Sequence, residues 1–519
     1  MVVNRLSRSV AGLRRHWPLL VLLTVGGLLR LAMMRAYRPA FWYFGDSSVY
    51  FAHAISHVPD SRSPYGYSFA IQLLRMLPVR PLELIPLLQH LAGLAVPAAC
   101  YAYLRRGGVS RLVSVLAVAP VVLDARTIVV EHYVLSDTLF TTLTVTGLIV
   151  LTAKDRPGKL ACAIAGLVLA AAGLTRTVGL PLLALPLSYI VVRSLGDRPA
   201  PFLTRLKPAA VRMAAFAVCV LVPVGGYMVW YHDTYDVYSL GTYRGRFLWA
   251  RVSTFVECDK VPDLTVAERR LCPPQPLGRR LDPDLYLWNA GPNSELAAPE
   301  YDSLFAGFSR KVLRAQPVDY AWTVARDTWL FVRPGGYPTD RITCLANLWQ
   351  VPKPDPRGPR LYSDYQPWLC QPTMSAGDLR AADRTVVAST RGGGLATGLH
   401  WYSRILTVPA TVPALGFVLV VVSALVPRWR TTLRASSDSL LWAGFGMGIV
   451  VISVATSASD PRYGVPVLPL VLTGSALAWH RVRSAPQPPA PPAPDPSPGP
   501  LTRTDVVGDR GVDPRTSAV

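Results

Sequence analysis

The sequence predicts an all-α polytopic membrane protein with about ten transmembrane helices and a mixed extracytoplasmic soluble domain inserted late in the chain. Three observations carry this. Of 519 residues, 51% are hydrophobic and only 16% charged, and the mean hydropathy is +0.29, too apolar for a soluble chain of this size. The apolar residues come in blocks of roughly 18 to 24, enough to cross a hydrocarbon core ~30 Å thick. Basic residues collect in every second connection between those blocks.

The expected spans are 17–34, 82–104, 109–125, 131–153, 159–175, 177–193, 212–231, 403–426, 439–457 and 463–480. Arg14 and Arg15 precede the first; Arg105 and Arg106 follow the second; Lys154 and Arg156 follow the fourth; Arg205 and Lys207 precede the seventh. Arg428 and Arg430 follow the eighth, and Arg481 and Arg483 follow the tenth. The positive-inside bias then places both termini in the cytoplasm, in a multi-pass protein of the cell membrane. The first span lacks a small-residue cleavage site and reads as a retained anchor. The net charge of +21 is mostly this bias together with contact to anionic lipid headgroups, so it calls for no nucleic acid.

Four segments follow: an N-terminal transmembrane domain over 1–231, an extracytoplasmic soluble domain over 232–402, a C-terminal transmembrane domain over 403–480 and a Pro-rich cytoplasmic tail over 481–519. Four of the seven cysteines fall in the soluble segment, where an even number suggests disulfides. Of the three pairings, the sequence-local Cys258–Cys272 with Cys344–Cys370 is favoured. Apolar spacing predicts amphipathic helices over 303–316 and 318–332, broken at Pro317, with Trp322, Ala325, Trp329 and Val332 on one face as core or membrane-surface contact. Residues 377–390 read as a further polar helix, leading through Gly392, Gly393 and Gly394 into the eighth span. The tail cannot build a core.

No P-loop, dinucleotide fingerprint, nucleophile elbow or zinc-type CxxC is present. The chemistry must therefore sit in polar groups at membrane depth or at span mouths, where such groups are functional candidates by default. Asp46, in Gly45-Asp46-Ser47-Ser48 past the first span, is a candidate general base among aromatics, or else a cap for a helix starting at Ser47. Glu131 and Asp137 open the fourth span and are polar candidates at the outer face. Glu131 with His132 is a candidate ligand set for a divalent metal, the one cofactor the residues suggest. His53 and His57, one helical turn apart, are a weaker metal pair. Arg176, in Leu174-Thr175-Arg176, is an outer-side Arg suited to gripping a lipid phosphate, since its fork donates two parallel hydrogen bonds. Arg462, in Ser459-Asp460-Pro461-Arg462-Tyr463, is another, with Asp460 to orient it and Tyr463 to bond a headgroup.

These motifs resemble the GT-C superfamily of integral membrane glycosyltransferases, particularly the bacterial relatives of the protein mannosyltransferases. The likeness rests on Gly45-Asp46-Ser47 followed by Pro64-Tyr65-Gly66-Tyr67, on the Glu131-to-Asp137 element, on the Leu174-Thr175-Arg176 turn and on Asp460-Pro461-Arg462-Tyr463. Many relatives carry an acidic pair where this chain has Asp46-Ser47. The resemblance implies a polyprenyl-phosphate sugar donor, an extracytoplasmic acceptor and an inverting transfer. Asp46 would be the base, and Arg176 and Arg462 the phosphate contacts. A transporter or lipid flippase, which needs polar residues along a through-path, and a non-catalytic cell-envelope assembly protein are the alternatives.

Overall fold

The computed structural model describes residues 16–43, 45–78, 81–196, 201–288, 301–335, 347–355, 373–374, 389–390, 393–426 and 433–484. The expected Cys344–Cys370 bridge, most of the helix over 377–390 and the Pro-rich tail lie outside them.

Helix α1 (Trp17–Ala36) leads through the two-residue strands β1 (Tyr37–Arg38) and β2 (Phe41–Trp42) to two short helices, α2 (Asp46–Ser56) and α3 (Gly66–Arg75). Then come α4 (Pro81–Arg106), α5 (Arg111–Leu123), α6 (Ala125–His132), α7 (Asp137–Thr152) and α8 (Lys159–Thr175). Two 3-10 turns, Thr177–Gly179 and Pro181–Leu183, join α8 to α9 (Ala184–Leu195), and the long α10 (Phe202–Tyr235) follows. The segment expected from loop charge to lie outside, the outer segment below, holds α11 (Arg244–Val252), α12 (Val266–Arg269), α13 (Pro283–Trp288), α14 (Asp302–Ala315) and α15 (Pro317–Val332). Strands β3 (Thr373–Met374) and β4 (Ser389–Thr390) precede α16 (Gly394–Ile405), α17 (Thr411–Leu425), α18 (Leu433–Thr456) and α19 (Gly464–Ser484).

The chain is a mostly helical, multi-pass membrane protein. Among the described residues, six helices are long and apolar enough to cross a membrane, or seven if α5 and α6, bent by 49°, form one span. Helices α7, α8 and α17 are apolar but shorter. Two expected spans are broken. The fourth starts at Asp137 rather than 131, because α6 ends at His132 and the chain extends at Tyr133. The eighth is divided between α16 and α17. One buried carboxylate organises two breaks: Asp124 accepts from the Thr127 N–H at 2.8 Å, capping α6, and from the Val408 N–H at 2.8 Å in the gap before α17. An Asp at such a position satisfies backbone donors that a broken helix would otherwise strand in apolar surroundings.

One apolar core packs between helices α4, α7, α8, α9, α18 and α19, around Phe140, Leu148, Leu169 and Trp442, and another gathers the first loop around Phe41, Trp42, Tyr133 and Trp349. The outer segment has its own core, built on Trp249, Phe305, Phe308 and Tyr286 and tied by a disulfide between Cys258 and Cys272. Its described residues are helical apart from turns and the two-residue strands β3 and β4. The break at Pro317 stands between α14 and α15 as the spacing predicts. Of the expected stripe on α15, Val332 packs with Val324 and Phe331 on α17 and α18 near Val420 and Val450, while Trp322 and Trp329 stay exposed, as the membrane-surface alternative requires. Arg251 fixes the outer segment to the membrane helices. It ion-pairs with Asp327 of α15 at 2.5 Å and donates to the Ser457 carbonyl after α18 at 2.9 Å.

The returning chain closes on the first loop. Strand β4 pairs antiparallel with β1, β3 with β2, and Phe41 bridges to Tyr133. Residues 389–390 are thus strand rather than helix. These short ladders hold the entry to α2, and with it Asp46, against the break between α6 and α7.

Candidate active site

The turn between α18 and α19 builds the centre. Asp460 caps a single 3-10 turn, Pro461–Tyr463, by accepting from the Arg462 N–H at 2.9 Å. Proline presets the turn, and the cap turns the Arg462 side chain toward the first loop. There its Nη2 meets the Asp46 carboxylate at 2.8 Å, while Nε lies 3.4 Å from Asp460. Its guanidinium sits 4.7 Å from the Tyr43 ring centre and 5.5 Å from that of Trp349, and those two rings stack 5.2 Å apart. Burial holds the Tyr43 phenol well above its usual range, so this ring is a neutral platform for the cation. Among the described residues, the buried Nη1 of Arg462 has no hydrogen-bond acceptor.

Asp46 is not a cap. It is the first residue of α2, whose N-cap is Gly45 at φ 80° with no side-chain capping bond. That left-handed conformation suits glycine and presents Asp46 to the cavity, with 37% of its side chain exposed. Ser47 does the local bracing instead, accepting from the Tyr43 N–H and donating to the Val134 carbonyl, both at 2.9 Å.

Arg176 caps the C-terminus of α8 in extended conformation. It ion-pairs with buried Asp137 at 2.5 Å and lies 5.3 Å from the centre of the Tyr463 ring, which also sits 5.7 Å from Arg462. The Arg176 turn is seated by a close approach: a side chain at Gly66 of α3 would meet the Leu174 carbonyl at 2.5 Å. Asp46, Arg176, Asp460, Arg462 and Tyr463 all line one cavity of about 1120 Å³ between the membrane helices and the outer segment. Asp137 stands behind Arg176.

Glu131 and His132 do not join this site. Both Glu131 oxygens are held by Arg30 of α1, each at 2.8 Å, and one also meets His90 Nδ1 at 2.9 Å. His132 lies against His90 at 3.2 Å and the Tyr37 carbonyl at 2.8 Å. Space for the carboxylate exists only because residue 93 is glycine, where a Cβ would fall 1.8 Å from Glu131. With two bonds from Arg30 and one from His90, Glu131 is engaged in an ion-pair network rather than grouped with other ligands for a metal. Among the described residues no group of three or more His, Cys, Asp or Glu is placed to hold one. His53 and His57 also fail as a pair: His57 ends α2 in left-handed conformation, and His53 turns to the Val58 carbonyl and to Asp60.

The Arg30–Glu131 pair is structural, and its removal is expected to act on folding. Glu131→Ala leaves a buried cation unpaired and should cost about 3–5 kcal/mol. Thermal unfolding in detergent should show this loss, and the volume-matched double variant Arg30→Met, Glu131→Leu should restore most of it.

Part of the chain is similar to a known family. Residues 80–239 match the model described as dolichyl-phosphate-mannose-protein mannosyltransferase. That match covers under a third of the chain and is a likeness over this segment. The match spans α4 to the end of α10 and includes Asp137 and Arg176. No curated protein sequence matches the chain. Solved structures align with it as well, two of them as follows. One is the protein O-mannosyltransferase Pmt1–Pmt2 complex of S. cerevisiae bound to the sugar donor, at 15% identity and TM-score 0.34, over 49% of this chain and 38% of that one. The other is the oligosaccharyltransferase AglB of Archaeoglobus fulgidus with an inhibitory peptide and a dolichol-phosphate, at 12% identity and TM-score 0.40, over 90% of this chain and 50% of that one. The chain thus spans half or less of each solved relative, and the family match carries the likeness.

Proposed function

We propose that this protein is a membrane glycosyltransferase that moves a sugar, hexosyl or pentosyl, from a polyprenyl-phosphate donor to an acceptor outside the cytoplasm, in one inverting displacement. The observation that carries this reading is the 2.8 Å pair between Asp46 and Arg462 in a large cavity at the mouths of the membrane helices. It joins an acid from the first loop to a cation from the last turn. The family match over residues 80–239 supports the reaction class.

The geometry supports the following mechanism. The donor phosphate enters as a competitor for Arg462, whose Nη1 has no acceptor among the described residues. A phosphate there draws the guanidinium from Asp46, and the carboxylate is released as a base. Arg176 offers a second cationic contact across Tyr463. The acceptor hydroxyl then attacks the anomeric carbon from the face opposite the leaving phosphate. Asp46 takes its proton, and the arginines hold the charge that develops on the departing lipid phosphate. The apolar cavity wall at Val178, Leu180, Pro181 and Ile452 suits the start of the prenyl chain.

Asp460 gives this reading a pH signature. Burial pushes its carboxyl up to about 6, against the lowering effect of Arg462. As pH falls through about 6 the group is protonated, and a negative charge beside Arg462 disappears. The neutral acid still accepts from the Arg462 N–H, so the turn persists. Phosphate then meets less competition, and the donor KM should fall by roughly three- to tenfold. Asp460→Asn should show the lower KM at neutral pH and lose the dependence.

The test of class uses purified protein in proteoliposomes with a labelled polyprenyl-phosphate sugar. Covalent transfer of label to an added acceptor supports glycosyl transfer. Movement of intact donor between leaflets with no covalent product makes the protein a transporter.

A further inference from the structure

The cavity is roomy. Ordinary ligand pockets occupy about 300–1,000 Å³, whereas this one measures about 1120 Å³. Part of its lining belongs neither to the membrane helices nor to the charged centre. Arg62 comes from the turn between α2 and α3, Arg244 and Phe247 from α11, and Asp284 and Trp288 from α13.

This wall is built rigidly. Helix α13 has its own core contacts: Tyr286 is buried, donates to Gln275 at 2.9 Å and meets Trp249 edge-on. Arg246 fixes the end of the helix by donating to the Leu287 carbonyl at 2.9 Å. With the intervening Tyr286 anchored inward, Asp284 and Trp288, one helical turn apart and so on one face, are turned to the cavity. Trp288 keeps 47% of its surface exposed and has Phe247 edge-on at 6.2 Å. Arg244 is held by donating to Ser239 at 2.8 Å. Asp284 lies close enough to act on Asp460 and Tyr43 electrostatically, so this wall adjoins the reacting centre.

We infer that the Arg62–Arg244–Phe247–Asp284–Trp288 wall is the acceptor subsite and that the acceptor is a carbohydrate chain. This rests on the glycosyltransferase reading. An indole face with an aromatic neighbour receives the C–H face of a sugar ring. A carboxylate accepts from ring hydroxyls, and guanidinium forks donate to them. Polypeptide acceptors are commonly held by main-chain pairing with a strand edge. The described strands here are two residues long, already paired, and none lines this wall. A lipid acceptor would want an apolar wall, and this one carries two cations and an acid.

The test is transfer from labelled polyprenyl-phosphate sugar by the full chain in membranes, offered a neutral oligosaccharide or a Ser/Thr peptide. The expected result is label on the oligosaccharide. Trp288→Ala should raise the oligosaccharide KM roughly tenfold and move the donor KM by less than about twofold, and Trp288→Phe should recover most of the loss. Label on the peptide alone overturns the inference and leaves the glycosyltransferase reading standing, as does an unchanged oligosaccharide KM in Trp288→Ala. A donor that is neither transferred nor hydrolysed by folded wild type removes both.

Discussion

Asp46→Asn should lower sugar transfer by a factor of about 10²–10⁴, the usual worth of a positioned general base, with membrane level and melting temperature close to wild type. The side chain is 37% exposed and makes no capping bond, so α2 does not depend on its charge. Asparagine keeps the shape and can still accept from Arg462, but it cannot take the acceptor proton. The loss should therefore appear in kcat at saturating donor and acceptor. Retention of activity within about threefold would assign Asp46 to electrostatic support of Arg462 and leave the base elsewhere.

Arg462→Lys should cost about a hundredfold in kcat/KM for the donor, equal to roughly 2.7 kcal/mol. Lysine keeps the charge but loses the planar fork. It cannot span Asp46, Asp460 and a phosphate together, nor lie against the rings of Tyr43 and Trp349 as the guanidinium does. Because the positive charge is retained among buried carboxylates, the substitution separates binding geometry from gross misfolding, which Arg462→Ala would not. Donor KM and thermal unfolding measured on the same preparation check it: the first should rise and the second should shift little.

The helical, multi-pass character was legible because apolar block length is a local property. Where the sequence reading slipped, a distant group decided the outcome. The fourth span does not begin at Glu131, since that residue belongs to a separate short helix capped by Asp124. Glu131 looked like a metal ligand because its partner, Arg30, is 101 residues away. Arg30 itself was a readable signal, a charge inside the first apolar run, and a cation at that depth demands a carboxylate. Asp46, Arg176 and Arg462 stood out for a similar reason, being charged groups at span mouths. Their mutual arrangement was not readable, because it depends on Tyr43, Trp349 and Tyr463 as ring platforms, and nothing in the spacing of these aromatics sets them apart from core. The acceptor wall was missed entirely. Asp284 and Trp288 sit on a six-residue helix, too short for periodicity to show a face.

The central claim is that Asp46 and Arg462, joined across the fold, perform glycosyl transfer from a lipid phosphate. The most direct test uses membranes carrying either wild type or Asp46→Asn and a panel of radiolabelled polyprenyl-phosphate sugars. Wild type should move one sugar label to acceptor, and the variant, equally abundant and folded, should not. Equal transfer by both would contradict the role of Asp46, and absence of transfer by folded wild type across the panel would contradict the reaction itself.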